Sequence, residues 1–373
     1  MELIYPNKKT NSEILNYTPV CAFNGEIPSE NLLIKGNNIF VLQRLRECYV
    51  NKIDLIYIDP PFSTNAVYTI GEDRASTISN SQNDDVAYID KLKGFEYIEF
   101  IRERLIIAKE LLSDAGSIYV HIDNKMGHYL KIIMDEIFGI KNFKNDITRV
   151  KCNPKNFKRR AYGNTKDMIL FYAKTENNIW NDPVFPFSES DRAGLFKKTD
   201  KDGRAYTTIP LHAPGETRNG VTSQTFRGIK PPKGRHWRCD PLELEKLDDN
   251  GLIKWSANGN PRKIIYSDEK KGKKMQDIWE YKDHPYPDYP TEKNPELLKT
   301  IISASSHEKS IVMDFFCGSG TTLVAAQELN RNWIGIDQSE QAINIAKKKL
   351  AAISKNCPGC GYSYLIAEYN NIK

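Results

Sequence analysis

The apolar positions of this chain gather into short, nearly continuous runs separated by amphipathic stretches. Ile53-Asp54-Leu55-Ile56-Tyr57-Ile58, residues 117–122, 168–173, 311–316 and 333–336 each hold four to six residues dominated by aliphatic and aromatic side chains. Runs of this length without polar alternation are the pattern of strands buried on both faces. Asn31-Leu32-Leu33-Ile34 adds a shorter one. Between them, helical periodicity marks residues 39–45, 95–112, 126–138 (stopping at Gly139) and 323–329. Strand alternating with helix predicts an α/β fold with a mostly parallel, doubly wound sheet.

Two stretches break the alternation. Residues 63–90 carry glycine, serine and asparagine with no period, and a loop this long in a compact domain usually has a function or is mobile. From residue 181 proline, glycine and cations rise, until the strand pattern resumes near 311. The expected organisation is an N-terminal arm (1–30), a first core half (31–180), an insert (181–275), a second core half (276–355) and a C-terminal tail (356–373).

Composition narrows the class. Of 373 residues 40% are hydrophobic and 27% charged, as in an ordinary globular protein. No run approaches the roughly 20 apolar residues of a membrane span, and the N-terminal stretch lacks a secretory layout. Together with an odd count of seven scattered cysteines, this points to a reducing cytoplasm and free thiols. Cys357-Pro358-Gly359-Cys360 has close spacing but no two further ligands nearby, so no metal is expected.

Charge is uneven. Residues 191–274 hold 19 Lys and Arg against 11 Asp and Glu, a net of +8, whereas the whole chain carries +5. The densest part includes Arg227, Lys230, Lys233, Arg235, Trp237 and Arg238. Seven further cations without any acid lie between Arg149 and Lys166, among them Lys155, Lys158, Arg159 and Arg160. Basic runs are often only solvated faces, but cations on short loops with interleaved aromatics also suit phosphate contact. The insert is the candidate for recognising a nucleic-acid target.

The chemistry sits at two strand ends. Asp59-Pro60-Pro61-Phe62 follows the first strong strand, where open α/β sheets bind ligands. Alone, it reads as a turn. A methylase of exocyclic amino groups, however, needs a carboxylate and a backbone carbonyl to accept hydrogen bonds from the NH2, freeing a lone pair otherwise conjugated with the base. Proline fixes φ and offers a carbonyl without its own N–H, and an aromatic residue next in line can stack on the base. The polar stretch that follows would then be a lid over substrate.

At the other end, Asp314-Phe315-Phe316-Cys317-Gly318-Ser319-Gly320-Thr321-Thr322 is a strand, a glycine turn and a helix start, where backbone can approach a ligand. Two glycines and no following Lys-Ser/Thr pair exclude a phosphate-binding P-loop. Asp337 ends the next strand, 23 residues beyond Asp314, in the position of a ribose-binding carboxylate. A cationic sulfonium tolerates acidic strand ends better than a dinucleotide does, so S-adenosylmethionine fits this half better than NAD.

Both halves together resemble the β-class DNA amino-methyltransferases, including the modification (Mod) subunits of type III restriction-modification systems. Asp59-Pro60-Pro61-Phe62 is similar to their Asp-Pro-Pro-Tyr/Phe motif, and Phe316-Cys317-Gly318-Ser319-Gly320 to their cofactor loop. Residues 289–295 with Leu297-Leu298, Ile278-Trp279-Glu280 and residues 230–238 carry further likeness. Gly36-Asn37-Asn38 stands where the family often has Gly-Asp-Asn, and Phe62 replaces the commoner tyrosine.

The resemblance implies a Rossmann-like methyltransferase core that methylates adenine N6 in a specific duplex DNA sequence, with the base flipped into a pocket. Asp59, Pro60, Pro61 and Phe62 would be catalytic. Asp314, Phe316, Cys317, Gly318, Ser319, Gly320, Thr321, Asp337 and Asn37 would hold S-adenosylmethionine, with Lys293 near its methionine end. Duplex DNA is the implied partner; a homodimer and a cognate restriction endonuclease are partners the chain leaves open. Cytosine-N4 methylation and a catalytically silent DNA-binding subunit stand as the alternatives.

Overall fold

The computed structural model describes residues 2–17, 21–23, 26–27, 31–61, 67–70, 75–76, 85–89, 94–154, 158, 160–283, 292–354 and 361–369. The chain divides into two units, residues 1–183 with 276–373, and residues 184–275.

The first unit is built on one ten-stranded sheet. Its strands are β1 (Cys21–Phe23), β2 (Asn31–Lys35), β3 (Ile53–Ile58), β4 (Leu112–Ile122), β5 (Phe143–Val150), β6 (Lys166–Ala173), β7 (Ile278–Trp279), β8 (Ile311–Asp314), β9 (Asn332–Asp337) and β10 (Tyr362–Tyr369). Their spatial order is β1-β10-β2-β9-β8-β3-β4-β6-β5-β7. The six strands from β10 to β4 are mutually parallel, while β6 runs against both β4 and β5. The helices are α1 (Asn11–Asn16), α2 (Asn38–Tyr49), α3 (Gly94–Leu111), α4 (Gly127–Phe138), α5 (Pro295–Ser305), α6 (Thr321–Glu328) and α7 (Glu340–Ser354). The fold is thus a Rossmann-like α/β fold whose central sheet is buried: Leu55, Ile56, Ile58, Ile118, Val120, Val312, Met313 and Ile336 are fully enclosed.

One topological fact positions everything that follows. β3 and β8 are neighbours in register Leu55 with Val312 and Ile56 with Met313. From β8 the chain winds through α6 to β9 on one side, and from β3 through α3 to β4 on the other. The reversal opens a crevice beyond their C-terminal ends, the place where such sheets take ligands.

Local sequence explains the boundaries. Proline opens α5 behind the Asn294 cap, whose side chain accepts from the Glu296 N–H. Gly139 ends α4 at a φ of 87°, a conformation that costs glycine little. Two expectations fail. The C-terminal stretch expected to be a tail contains β10, which lies inside the sheet between β1 and β2, since its β-branched and aromatic residues suit a ladder position. The stretch 63–90, expected as a structureless loop, contains three short antiparallel strands at 67–70, 75–76 and 85–89; its proposed role as a lid rests largely on residues outside those described.

The second unit is a small, mostly antiparallel assembly around a four-stranded sheet (198–199, 205–210, 261–266, 253–255), with the helices Glu189–Leu195 and Pro241–Asp249. Its core is Leu211, Phe226, Trp237, Leu244 and Ile253. The insert expected from composition began at residue 181 and ended at 275.

Candidate active site

The glycine turn after β8 is held by its own carboxylates. Asp314 is 2% exposed and accepts hydrogen bonds from the Phe316 N–H at 3.0 Å and the Thr322 hydroxyl at 2.6 Å. Burial, only partly opposed by those donors, lifts its carboxyl to about 7. Asp337, half-buried at the end of β9, accepts from the Gly318 N–H at 2.9 Å and the Ser339 N–H at 2.8 Å. Burial pushes this carboxyl up as well. Gly318 and Gly320 take φ values of 50° and 77°, where a side chain is strained, and a Cβ on Gly320 would lie 2.8 Å from that of Ala346. The Cys317 thiol is buried and pushed well above its ordinary range by desolvation. The loop therefore presents backbone rather than the cysteine side chain.

A second layer ties this loop to the first core half. Asn38 at the start of α2 donates to the Phe315 carbonyl at 2.7 Å, and its own side-chain oxygen accepts from the Arg104 Nε at 2.6 Å. Asn37 caps α2 through the Ile39 N–H and also meets Arg104, so its side chain serves the helix start. Phe316 packs edge-tilted on Phe100 with ring centroids 6.1 Å apart. Sequence reading missed Asn38 and Arg104; both look like ordinary helix residues until the fold brings them under the loop.

Beyond β3, Asp59 is largely enclosed, with its side chain 16% exposed; Pro60 is buried and Pro61 half-buried. Its Oδ2 meets the Lys293 ammonium at 2.7 Å, and Lys293 is itself 9% exposed. Its Oδ1 is buried and has no hydrogen-bond partner among the described residues. An unsatisfied buried acceptor costs about 1–3 kcal/mol, more when charged. Lys293, expected near the methionine end of a cofactor, lies against Asp59, where a cation in direct contact compensates the enclosed carboxylate.

Glu292, the residue before it, turns to the glycine loop. Its Oε1 accepts from Lys349 and from the Thr321 hydroxyl at 3.4 Å, while Oε2 is buried without a partner among the described residues. Lys349 also reaches Ser319 at 3.2 Å. Glu292 was not foreseen as a site residue. Its signal was adjacency to Lys293 in a stretch already singled out.

Beneath Asp59 lies a buried polar chain. The Tyr57 hydroxyl and His121 Nδ1 are 2.9 Å apart, His121 Nε2 is 3.5 Å from Asp167, and Lys151 donates to Asp167 at 2.7 Å. Burial holds His121 below its ordinary value, hence neutral. Burial works to raise the Asp167 carboxyl, but the hydrogen bonds and charges of His121 and Lys151 hold it below the usual carboxylate range. Arg149, counted within a basic run, is fully buried and bonds Asp283 and the Tyr281 carbonyl.

The arrangement suits a cationic cofactor with hydroxyls. Carboxylates of Asp314, Asp337 and Glu292 border the glycine loop, two glycines bare its backbone, and Glu292 Oε2 has no donor among the described residues, a place an ammonium group would fill. Asp337 uses two of the roughly four acceptor sites of a carboxylate, leaving capacity for hydroxyl donors. Among the described residues no group of three or more His, Cys, Asp or Glu is placed to hold a metal ion, and no helix is long and apolar enough to cross a membrane.

The residues expected to grip DNA divide. Lys158, Arg160, Lys230, Lys233, Arg235 and Arg238 are exposed. Arg227 is exposed but paired with Asp248 and Asp249. Trp237 is a correction: it is fully buried, donates its indole N–H to the Gln224 carbonyl at 2.9 Å, and packs edge-on against Phe226, so its ring is core and not a platform for a base. Phe62, Lys155 and Arg159 lie outside the described residues.

Residues 53–348 match the family described as DNA methylase, of the N6/N4 methyltransferases. The type II methyltransferase M.EcaI of Enterobacter cloacae is 39% identical over 363 residues, covering 94% of this chain and 77% of the relative. The probable type III restriction-modification enzyme HindVI Mod subunit of Haemophilus influenzae is 26% identical over 87% of this chain, which spans 51% of that relative's length. Among solved structures, the crystal structure of the M1.HpyAVI–SAM complex aligns with a TM-score of 0.43 and 19% identity, covering 86% of this chain and 100% of that one.

Proposed function

This chain belongs to the DNA methylase family of N6/N4 amino-methyltransferases, enzymes of restriction-modification type that use S-adenosylmethionine, and within that family we propose that it methylates adenine N6 in a specific duplex sequence. The observation that carries the reading is the meeting of two segments some 250 residues apart: Asp59-Pro60-Pro61 and the loop from Asp314 to Thr322 end neighbouring strands at the sheet's reversal.

In this reading Asp59 and the Pro60 carbonyl accept hydrogen bonds from the amino group of a base flipped from the duplex, and Phe62 stacks on its ring. Gly318 to Thr321, Asp337 and Glu292 hold the cofactor: backbone against its body, Asp337 toward ribose hydroxyls, Glu292 toward its ammonium group. When bound, S-adenosylmethionine supplies an electrophilic methyl group on a sulfonium. The protein's share is then alignment, worth several orders of magnitude when nucleophile and electrophile are held in line. The low local dielectric strengthens the amino–Asp59 contact further. Adenine is favoured over cytosine because position 59 is Asp, whereas the cytosine enzymes more often carry Ser. A homodimer and a cognate endonuclease remain proposals that rest on the resemblance.

Tritium transfer from S-adenosylmethionine to duplex DNA, followed by digestion to nucleosides, tests this. N6-methyldeoxyadenosine is the expected product, and N4-methyldeoxycytidine alone would overturn the adenine assignment. The insert is tested separately. Lys233→Ala with Arg235→Ala should weaken DNA binding and lower the slope of log affinity against log salt by about 2, roughly one per lost phosphate contact. An unchanged slope would remove these residues from the interface.

A further inference from the structure

We propose that Lys293 is the positioning residue of Asp59, taking one carboxylate oxygen so that the other is aimed at, and reserved for, the amino group of the target base. The proposal rests on the reading of Asp59 as acceptor of that amino group and adds the device that makes it one. Three observations carry it. The Lys293 ammonium sits 2.7 Å from Oδ2, a charge-assisted contact between two largely enclosed side chains. The Oδ1 atom of the same carboxylate is buried with no donor among the described residues. Asp59 also follows directly on β3, a strand buried at every position but Asp54, and precedes two prolines, so its backbone has little freedom.

The other titratable groups that feel the Asp59 charge are committed elsewhere. Tyr57 meets His121, and both oxygens of Asp314 are taken by the Phe316 N–H and the Thr322 hydroxyl. A carboxylate pinned at one oxygen by a cation has its second oxygen fixed in direction, which is what a single incoming N–H donor requires. Free to rotate, Asp59 could offer either oxygen, or both to the lysine, and the donor geometry would be lost. Lysine suits this better than arginine, whose planar fork would tend to take both oxygens. The adjacent Glu292 faces the glycine loop, so one dipeptide serves both halves of the site: Glu292 toward the cofactor loop, Lys293 toward the catalytic carboxylate.

The test uses the full chain with tritiated S-adenosylmethionine and duplex plasmid DNA. Lys293→Met should lower kcat at least 100-fold, with cofactor affinity by titration calorimetry within threefold of the parent and KM for DNA little changed. Lys293→Arg, which keeps the cation, should recover at least tenfold of that loss. A second, activity-independent readout is thermal unfolding of Lys293→Met, Asp59→Asn and the double variant. The double variant should melt above Lys293→Met alone, because neutralising Asp59 removes the uncompensated charge. A tenfold or greater loss of cofactor affinity with kcat retained at saturation would overturn the proposal and return Lys293 to the cofactor. Strictly additive melting shifts would overturn it as well. Wild-type activity in Asp59→Ala would instead sink the underlying catalytic reading, while the melting cycle would still report whether the two side chains are coupled.

Discussion

The two strand ends that form the site are finished to different degrees. At the end of β8 and β9 every carboxylate oxygen already has a donor: Asp314 accepts from Phe316 and Thr322 of the glycine loop, and Asp337 from Gly318 of that loop and from Ser339 just beyond its own strand. At the end of β3, Asp59 is half satisfied, by Lys293 on one oxygen and by nothing described on the other. The difference teaches where preorganisation ends. A loop that meets a cofactor through its backbone can be built complete in the free protein, since its shape is the binding element. A carboxylate that must receive a substrate hydrogen must keep an acceptor vacant, at a cost in stability that the surrounding fold has to cover.

Substitutions can break this comparison. The largest effect should come from Asp59→Ala, which removes the vacant acceptor: methyl transfer should fall by at least about 10³-fold, on the scale of losing a principal charge-stabilising group, while cofactor affinity by calorimetry stays within a few-fold. Loss of both together would mean the two strand ends are one cooperative unit. Gly320→Val should do the converse. It places a β-branched residue at a φ of 77° against Ala346, so cofactor affinity should drop and the protein should lose about 2–3 kcal/mol in urea unfolding. An unperturbed affinity would remove the loop from the binding surface.

A smaller effect sharpens the comparison through pH. Asp314 is lifted to about 7 in the folded protein from an ordinary carboxylate value of 3.8. Because the folded value is the higher one, the stability it contributes is fully present below about pH 4 and is lost as pH rises through 7. The full span corresponds to at most about 4 kcal/mol. Between pH 5 and 7.5 the cofactor-free protein should therefore lose urea stability that Asp314→Asn does not lose; parallel profiles for the two would refute the buried-acid account. Asp167 works in the opposite sense, since its folded value is depressed: its contribution is present above about pH 4 and is lost on acidification.

Much of the fold was legible because buried parallel strands advertise themselves. Ile53 to Ile58 was read from its apolar run, and the helix at 94–111 from its period. The same reasoning misread β10, whose Tyr362-Ser363-Tyr364-Leu365 start alternates too briefly to outweigh its terminal position. It also misplaced Trp237, because a tryptophan among cations looks the same in sequence whether it faces solvent or closes a small core of Leu211, Phe226, Leu244 and Ile253. The sheet reading extended to β6 as a buried strand, but not to its antiparallel direction, which local pattern does not encode.

By itself, the sequence determined which residues could do the chemistry: a carboxylate before two prolines, a glycine turn ahead of a helix, and an acidic end to the next strand. These depend on backbone freedom and side-chain type, which are local. The tertiary structure decided what each of them touches. It set β3 beside β8, closed Lys293 onto Asp59, turned Glu292 to the glycine loop, and placed Asn38 and Arg104 beneath it. Pairings between residues hundreds of positions apart follow from strand order and from the compensation of buried charge, and neither is a property of any stretch of chain alone.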